Sequence, residues 1–244
     1  MAARTWRGAG VEVLVISLGV LLALGADEVR REIDRRSRER VLLQDLKAEF
    51  EANLAELKLV GAQHGAAAGS ARRLIEVGNG APAPKDSVRV WMRTALTSGN
   101  RFDARTGTLD AYLSNPEAGL LRNPQLRAAL ADWPRRVDEL WQQEDRIREF
   151  ADRDARQFLL QAGDPLSLYV NFRPPGSPLS VPEPGNFASR YRTGDEMYEL
   201  ASSTWLQNLA ATRVYLMRAT LRKHRRLLEA HEDVLAMISA DLND

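Results

Sequence analysis

The 244-residue sequence predicts an all-α fold built around two long helices. Apolar residues recur every three or four positions across 41–60 and again across 204–242, which is the period of an amphipathic helix. The sequence contains no convincing run of alternating apolar and polar residues, the pattern that predicts a β-strand. The second helix would be about 58 Å long, so it needs a long partner, and the first helix provides one. We therefore expect a long antiparallel hairpin or bundle.

An apolar run lies close to the amino terminus, where Gly8 to Ala26 contain one charge, Glu12. A helix over this run is about 28 Å long, close to the roughly 30 Å hydrocarbon core of a bilayer. We interpret it as a membrane anchor, with Trp6 at the interface and Glu12 in the first helical turn. The expected division of the chain is a tail over 1–9, a transmembrane anchor over 10–26 and a helical domain over 27–244. The lipid bilayer is then an expected partner.

Two alternatives to the anchor remain open. The strictly apolar stretch, 13–24, has the length of a signal-peptide core, which would make this a secreted helical protein with a cleaved signal. The run could also be a buried helix of a soluble domain. The segment from Asp27 to Arg40 favours the anchor, because its arginines and acidic residues alternate at helical spacing and extend the helix into solvent.

The orientation of such an anchor is ambiguous. Six arginines follow the run between 27 and 40, which favours a cytoplasmic domain. A short amino-terminal tail with Arg4 and Arg7 is typical of an uncleaved signal anchor with an exported domain. We expect a single-pass protein of a bacterial inner membrane, with the periplasm as the favoured side.

Breaker and capping residues divide the remaining chain. The segment 61–69 is rich in glycine and alanine and is a predicted weak point where helices could approach closely, and the GNGAPAP segment from Gly78 ends the helix. Five of the eleven prolines lie in 173–184, which predicts an irregular loop. We expect the shorter helices of 87–160 to pack at one end of the hairpin. The predicted helices cover 41–60, 71–77, 87–98, 106–113, 124–160 and 204–242, and Pro134 either kinks the helix over 124–160 or starts a new one.

The segment from Thr106 to Leu140 resembles the central part of an uncharacterised family of bacterial single-pass membrane proteins. The resemblance rests on a Leu–Ser step at Leu113-Ser114, followed by Asn123, Leu126-Arg127 and Leu130. The family also places a Glu before an apolar run and closes with a long helix, as this chain does. The resemblance implies an anchored helical domain of unknown function and no activity that can be transferred.

Composition and motifs limit the kinds of partner, metal site and catalytic site that the sequence predicts. A net charge of +1 does not favour nucleic acid as a partner, and the absence of cysteine excludes disulfides and thiolate metal sites. The HEDVL segment lacks the second histidine of a zinc-protease motif, because position 235 is Leu. We predict no catalytic residue, no cofactor and no metal, and we expect His224 and His231 to be exposed.

Two groups of residues are candidates for binding. A ligand or partner loop could be formed by Asn100, Arg101, Asp103 and Arg105, although a capped structural loop is the simpler interpretation. An anionic-lipid or partner patch could be formed by Arg218, Arg222, Lys223, Arg225 and Arg226. The alternative for the patch is a solvated helix face that pairs with Glu49, Glu51 and Glu56 on the opposing helix.

We expect a membrane-anchored helical protein that acts in protein–protein interaction, scaffolding or sensing, with a protein partner or a second copy of itself. The alternative is a small-ligand sensor or enzyme with a site near the loops 99–110 and 173–184.

Overall fold

The structure is a computed structural model that describes residues 3–114, 119–162 and 194–243, with only the backbone described for 3–24, 26, 85–86 and 194–195. This part of the chain is helical and contains no strand, which confirms the predicted fold class. The helices are α1 (Ala3–Gly78), α2 (Lys85–Thr97), α3 (Gly107–Ser114), α4 (Pro124–Glu149), α5 (Arg156–Gln161), α6 (Gly194–Ala201) and α7 (Thr204–Asn243), with a π-helical segment, Phe150–Ala155, between α4 and α5.

The centre of the fold is an antiparallel pair formed by α1 and α7, and α4 packs along this pair. Contacts between α1 and α7 run in opposite sequence directions, from Phe50 with His231 to Leu74 with Gln207. Helix α4 runs parallel to α1, since Glu39 binds Arg122 at one end and His64 binds Glu144 further along. The predicted long carboxy-terminal helix is therefore present, in a bundle of three long helices.

The three helices meet along seams with a coiled-coil spacing. Their buried positions alternate at intervals of three and four residues, the pattern that packs helices at a shallow crossing angle. In α7 this series includes 213, 217, 220, 224, 227, 231, 234 and 238; in α1 it includes 39, 43, 46, 50, 53, 57, 60, 64, 67, 71, 74 and 77; in α4 it includes 126, 130, 133, 137, 140, 144 and 147.

The shorter helices occupy both ends of the bundle, which differs from the expected packing at one end. Helices α2, α5 and α6 surround the meeting point of the α1 carboxy terminus and the start of α7. Helix α3 packs near the opposite end, beside Leu43 and Phe50 of α1. The difference arises because α4 is 26 residues long and carries the chain along the whole bundle between these two groups.

Helix α1 continues without a break through 61–69, so the predicted interruption there is wrong. The predicted close approach of helices at this segment is confirmed, since a Cβ on Gly61 would lie 2.3 Å from the His224 ring. The GNGAPAP segment does end the helix, and Gly80 adopts a positive φ of 91°, a conformation that glycine adopts without strain.

The predicted anchor, 10–26, is part of the α1 backbone, but its side chains and those of Trp6 and Glu12 lie outside the described residues. Across the described part of the chain, no helix combines the length and the apolar character needed to cross a membrane. The next segment, 27–38, is exposed along almost its entire length, and the first buried side chain after it is Glu39. The segment is about 18 Å long, and Arg35 within it donates to the Gly119 carbonyl oxygen, so α1 projects from the bundle ahead of Arg35.

Candidate functional site

The predicted loop site is spread over the protein surface. Its four residues all have exposed side chains: Asn100, Arg101, Asp103 and Arg105. The Arg101 guanidinium carbon lies 4.5 Å from the centre of the Trp141 ring, and its Nη1 lies 3.8 Å from Asp145. The structure thus holds Arg101 against α4 and does not gather the four side chains around one cavity.

The backbone of this loop, by contrast, is firmly held. The Asn53 side chain accepts a hydrogen bond from the Arg105 N–H at 2.9 Å and donates one to the Arg105 carbonyl oxygen at 2.7 Å. The buried Phe102 N–H donates to Glu144 at 3.1 Å, and Trp141 Nε1 donates to the Phe102 carbonyl oxygen at 2.7 Å. These bonds satisfy backbone groups that no helix pairs, which is a structural role.

Two carboxylates of α1 hold the rest of the α2–α4 connection. Glu49 accepts hydrogen bonds from the Thr108 N–H at 2.7 Å and the Leu109 N–H at 3.1 Å, at the amino terminus of α3. Negative charge is favourable there, because it satisfies free amides at the positive end of the helix dipole. Glu39 accepts from both the backbone N–H and Nε of Arg122, at 2.8 and 2.7 Å. Glu49 therefore does not pair with the α7 patch.

All three histidines of the chain are buried, so the prediction that His224 and His231 are exposed is wrong. His231 is 0 % exposed, and its Nε2 lies 2.7 Å from the Phe50 carbonyl oxygen. Its Nδ1 accepts a hydrogen bond of 3.2 Å from Trp133 Nε1. A carbonyl on one side and an N–H donor on the other select the neutral ring with its proton on Nε2. Burial correspondingly lowers the pKa of His231 below its ordinary value.

His224 lies two turns from His231 along the same seam, and the centre of the His64 ring on α1 lies 6.5 Å from that of His224. His224 Nε2 lies 2.7 Å from the Leu57 carbonyl oxygen, and burial lowers the pKa of this histidine too. His64 Nε2 lies 3.0 Å from Glu144 Oε1, with both side chains fully buried. Among the described residues no group of three or more His, Asp or Glu side chains is arranged to hold a metal ion. The histidines therefore join backbone and side chains within the bundle.

Arg213 is the most unusual buried side chain of α7. It is 0 % exposed, and its Nη2 donates to the Ser98 carbonyl oxygen at the carboxy terminus of α2. Its guanidinium lies 5.5 Å from the Phe150 ring, while Nε and Nη1 have no hydrogen-bond partner. Desolvation lowers the pKa of Arg213 to about 10. A cation at this position stabilises the negative end of the α2 dipole, which gives Arg213 a structural role.

The predicted patch on α7 divides into two parts. Lys223 is half-buried, and its ammonium lies 2.6 Å from Glu139 of α4, so its acidic partner is not on α1 as the alternative interpretation expected. Glu51 pairs within α1, with Lys47 at 3.9 Å. The other four side chains are exposed and form no ion pair within the described part of the chain: Arg218, Arg222, Arg225 and Arg226. We call these four residues the arginine face.

A cavity of about 600 Å³ lies at the end of the bundle from which α1 projects. Its charged lining has mixed sign, and part of it is engaged within the fold, because Arg122 binds Glu39 and Asn123 donates to Asp241 at 3.0 Å. The size suits a small ligand, but a lining of mixed charge does not select one class of ligand. None of the predicted loop residues lines this cavity.

A pattern of apolar residues alone does not include these buried polar side chains. Leu227, Val234 and Ile238 continue at intervals of three and four through positions 224 and 231, so the same period assigns both histidines to the core. The same argument places Glu144 on the buried side of α4.

The predicted proline-rich loop, 173–184, lies outside the described residues, and the resemblance carried by Thr106 to Leu140 remains a prediction. Comparison of the chain with family models, with curated proteins and with solved structures finds no match.

Proposed function

We propose that this chain is a membrane-anchored interaction protein of a bacterial inner membrane, in which 10–26 forms the anchor and the three-helix bundle engages a protein partner. One observation carries the proposal: α1 is a single helix from Ala3 to Gly78. The apolar run and the first helix of the bundle therefore belong to one rod, about 114 Å long. A continuous helix transmits the position of the anchor to the bundle without a flexible linker.

The projecting segment 27–38 supports an anchored arrangement. It carries charged side chains in helical ion pairs, such as Arg31 with Asp27 at 2.7 Å and Arg36 with Glu32 at 2.8 Å. These pairs suit a helix surrounded by water and headgroups, because they stabilise an isolated helix without tertiary packing. The segment holds the bundle away from the end of the apolar run. We propose that the bundle lies on the periplasmic side.

The interior polar groups support an interaction role over an enzymatic one. The histidines and Glu144 are enclosed in the bundle and hydrogen-bonded to its backbone and side chains. A general base must reach a substrate, and these groups are engaged with the fold itself. The exposed side chains of α7 include the arginine face and Tyr215, which are accessible to a partner.

The anchor is tested with a carboxy-terminally tagged full chain expressed in a bacterial host. Leu18→Arg places a charge at the centre of the run, at an insertion cost of about 2.5–3.5 kcal/mol, and Ala26→Arg places the same charge at its edge as a matched control. We expect the native chain and the control to sediment with membranes, and Leu18→Arg to shift toward the soluble fraction. Protease treatment of spheroplasts should remove the tag.

Equal sedimentation of native chain and Leu18→Arg would contradict the anchor, and a shortened soluble native chain would show a cleaved signal. Protection of the tag would place the bundle in the cytoplasm.

A further inference from the structure

One face of α7 carries arginines that the fold does not use. Because a helix turns 100° per residue, the four residues of the arginine face lie within an arc of about 100°. All four are exposed and none forms an ion pair within the described part of the chain. Arg135 and Arg136 of α4 behave differently, because both bind Asp132 on their own helix.

The arginine face lowers the stability of α7. Arg222 stands four residues from Arg218 and from Arg226, and three from Arg225. Like charges at these spacings destabilise a helix, in contrast to the Glu–Arg pairs of the projecting segment of α1. Neither packing nor helix formation explains why four cations are adjacent here. Glu229 follows Arg225 by four residues and Arg226 by three, but it forms no ion pair with them, so an acidic partner that covers the face would relieve this repulsion.

We propose that the arginine face is the docking surface for an acidic segment of a partner protein, an inference that rests on the interaction role proposed above. Guanidinium groups bind carboxylates in a bidentate geometry that gives both energy and orientation. Tyr215, which is 75 % exposed, continues the same face toward the amino terminus of α7. Tyrosine and arginine are, with tryptophan, the side chains enriched at the energetic centre of protein interfaces.

The position of the face selects a protein over a lipid surface. His224 packs on Gly61, which places the arginine face beside the part of α1 around that residue. Gly61 is 35 residues beyond Ala26, so the face lies about 52 Å along α1 from the end of the apolar run. Electrostatic attraction to a charged bilayer decays over about 8–10 Å at physiological ionic strength. With α1 along the membrane normal, the arginine face is therefore too far from the bilayer that holds 10–26 to be attracted to it.

The test uses the full chain in neutral detergent micelles and two probes: a fluorescent poly-L-glutamate peptide, and vesicles of phosphatidylglycerol and phosphatidylcholine. The face variant is Arg218→Gln/Arg222→Gln/Arg226→Gln. A matched control removes the same charge from exposed arginines of α1, α4 and α5: Arg72→Gln/Arg146→Gln/Arg156→Gln.

We expect the face variant to bind poly-L-glutamate about tenfold more weakly and the control to bind it within about twofold of the native chain. The face variant should also melt about 1 to 6 °C higher than the native chain, because its like-charge pairs are gone. Higher melting with weaker binding is a combination that loss of folding cannot produce.

Equal weakening in both variants would overturn the proposal, since net charge alone would then explain binding. Binding of the native chain to the vesicles but not to the peptide would show a lipid site, and binding to neither probe would remove the proposed surface. Failure of the anchor is seen separately, in the membrane fractionation, and leaves this titration unchanged.

Discussion

Acidification should loosen the pairing of α1 and α7, because two histidines in that seam are held neutral. His231 lies between the Trp133 N–H and the Phe50 carbonyl, so a second ring proton would face a donor and lose one hydrogen bond. Glu232 on the same helix favours the charged ring and Lys58 on α1 opposes it. His224 has Glu144 and His64 as its charged or titratable neighbours. In both histidines desolvation is the largest effect, and it lowers the pKa.

The sign of the pH dependence follows from the lowered pKa of these two histidines. The unfolded chain takes up these protons near the ordinary histidine pKa of about 6.5, whereas the folded chain resists them until a lower pH. The stabilising contribution is therefore complete above pH of about 6.5 and is lost as the pH falls toward the lowered pKa of the folded state. Each proton contributes at most about 1.4 kcal/mol per pH unit, so two histidines give a limit of about 2.7 kcal/mol per unit.

The assay is urea unfolding of the full chain in detergent, followed by far-UV circular dichroism between pH 7.5 and pH 5.5. His231→Gln keeps a side chain that can donate to the Phe50 carbonyl but does not take up a proton. We expect this variant to be less stable at pH 7.5 and to show a smaller loss on acidification, by up to about 1.4 kcal/mol per unit. Native and variant chains with the same pH slope would refute the assignment of a neutral buried His231, because carboxylates common to both would then account for it.

Three further predictions concern single positions in the bundle. Gly61→Ala places a methyl group against the His224 ring and should destabilise the protein by about 1–3 kcal/mol. Gly65→Ala, whose methyl group meets no atom within 4 Å, should stabilise the helix by up to about 1 kcal/mol. Thermal melts compare the two variants, and equal shifts in melting temperature would contradict the close approach. Asn53→Ala leaves two backbone groups of the α2–α3 loop unpaired and should cost about 2–4 kcal/mol in urea unfolding, against less than about 0.5 kcal/mol for the exposed Gln44→Ala. Arg213→Met removes a desolvated cation while filling a similar volume and should cost less than about 1 kcal/mol; a larger loss would show that the bond to Ser98 outweighs desolvation.

Helical periodicity was sufficient to predict the large elements of this fold. The spacing of apolar residues in 204–242 predicted α7 within a residue of its observed end, and the glycine–proline segment at Gly78 predicted the end of α1. These features depend on local sequence, namely on which residues favour or prevent a helix. The path of α4 along the bundle could not be read in this way, because it depends on contacts such as Phe50 with Trp133 that are 83 positions apart.

The candidate site also has features that depend on local sequence and others that depend on contacts between distant residues. The arginine face was found from the sequence because charge density is a local property, but its lack of acidic partners needed the structure. The expected partner Glu49 instead binds the amides of Thr108 and Leu109, a use that only the tertiary course of α3 reveals. Polarity alone predicts exposed histidines, whereas the heptad positions of His224 and His231 place them in the core.

The long pairing of α1 with α7 also has a consequence for synthesis. About 165 residues separate the last residue of α1 from the last of α7. At bacterial elongation rates of roughly 5 to 20 residues per second, the apolar seam of α1 has left the ribosome for about 8 to 33 seconds before its final partner is complete. During that interval α4 can cover only one side of the seam, so the nascent chain exposes apolar surface. The order of the helices therefore predicts that the chain needs chaperones during translation.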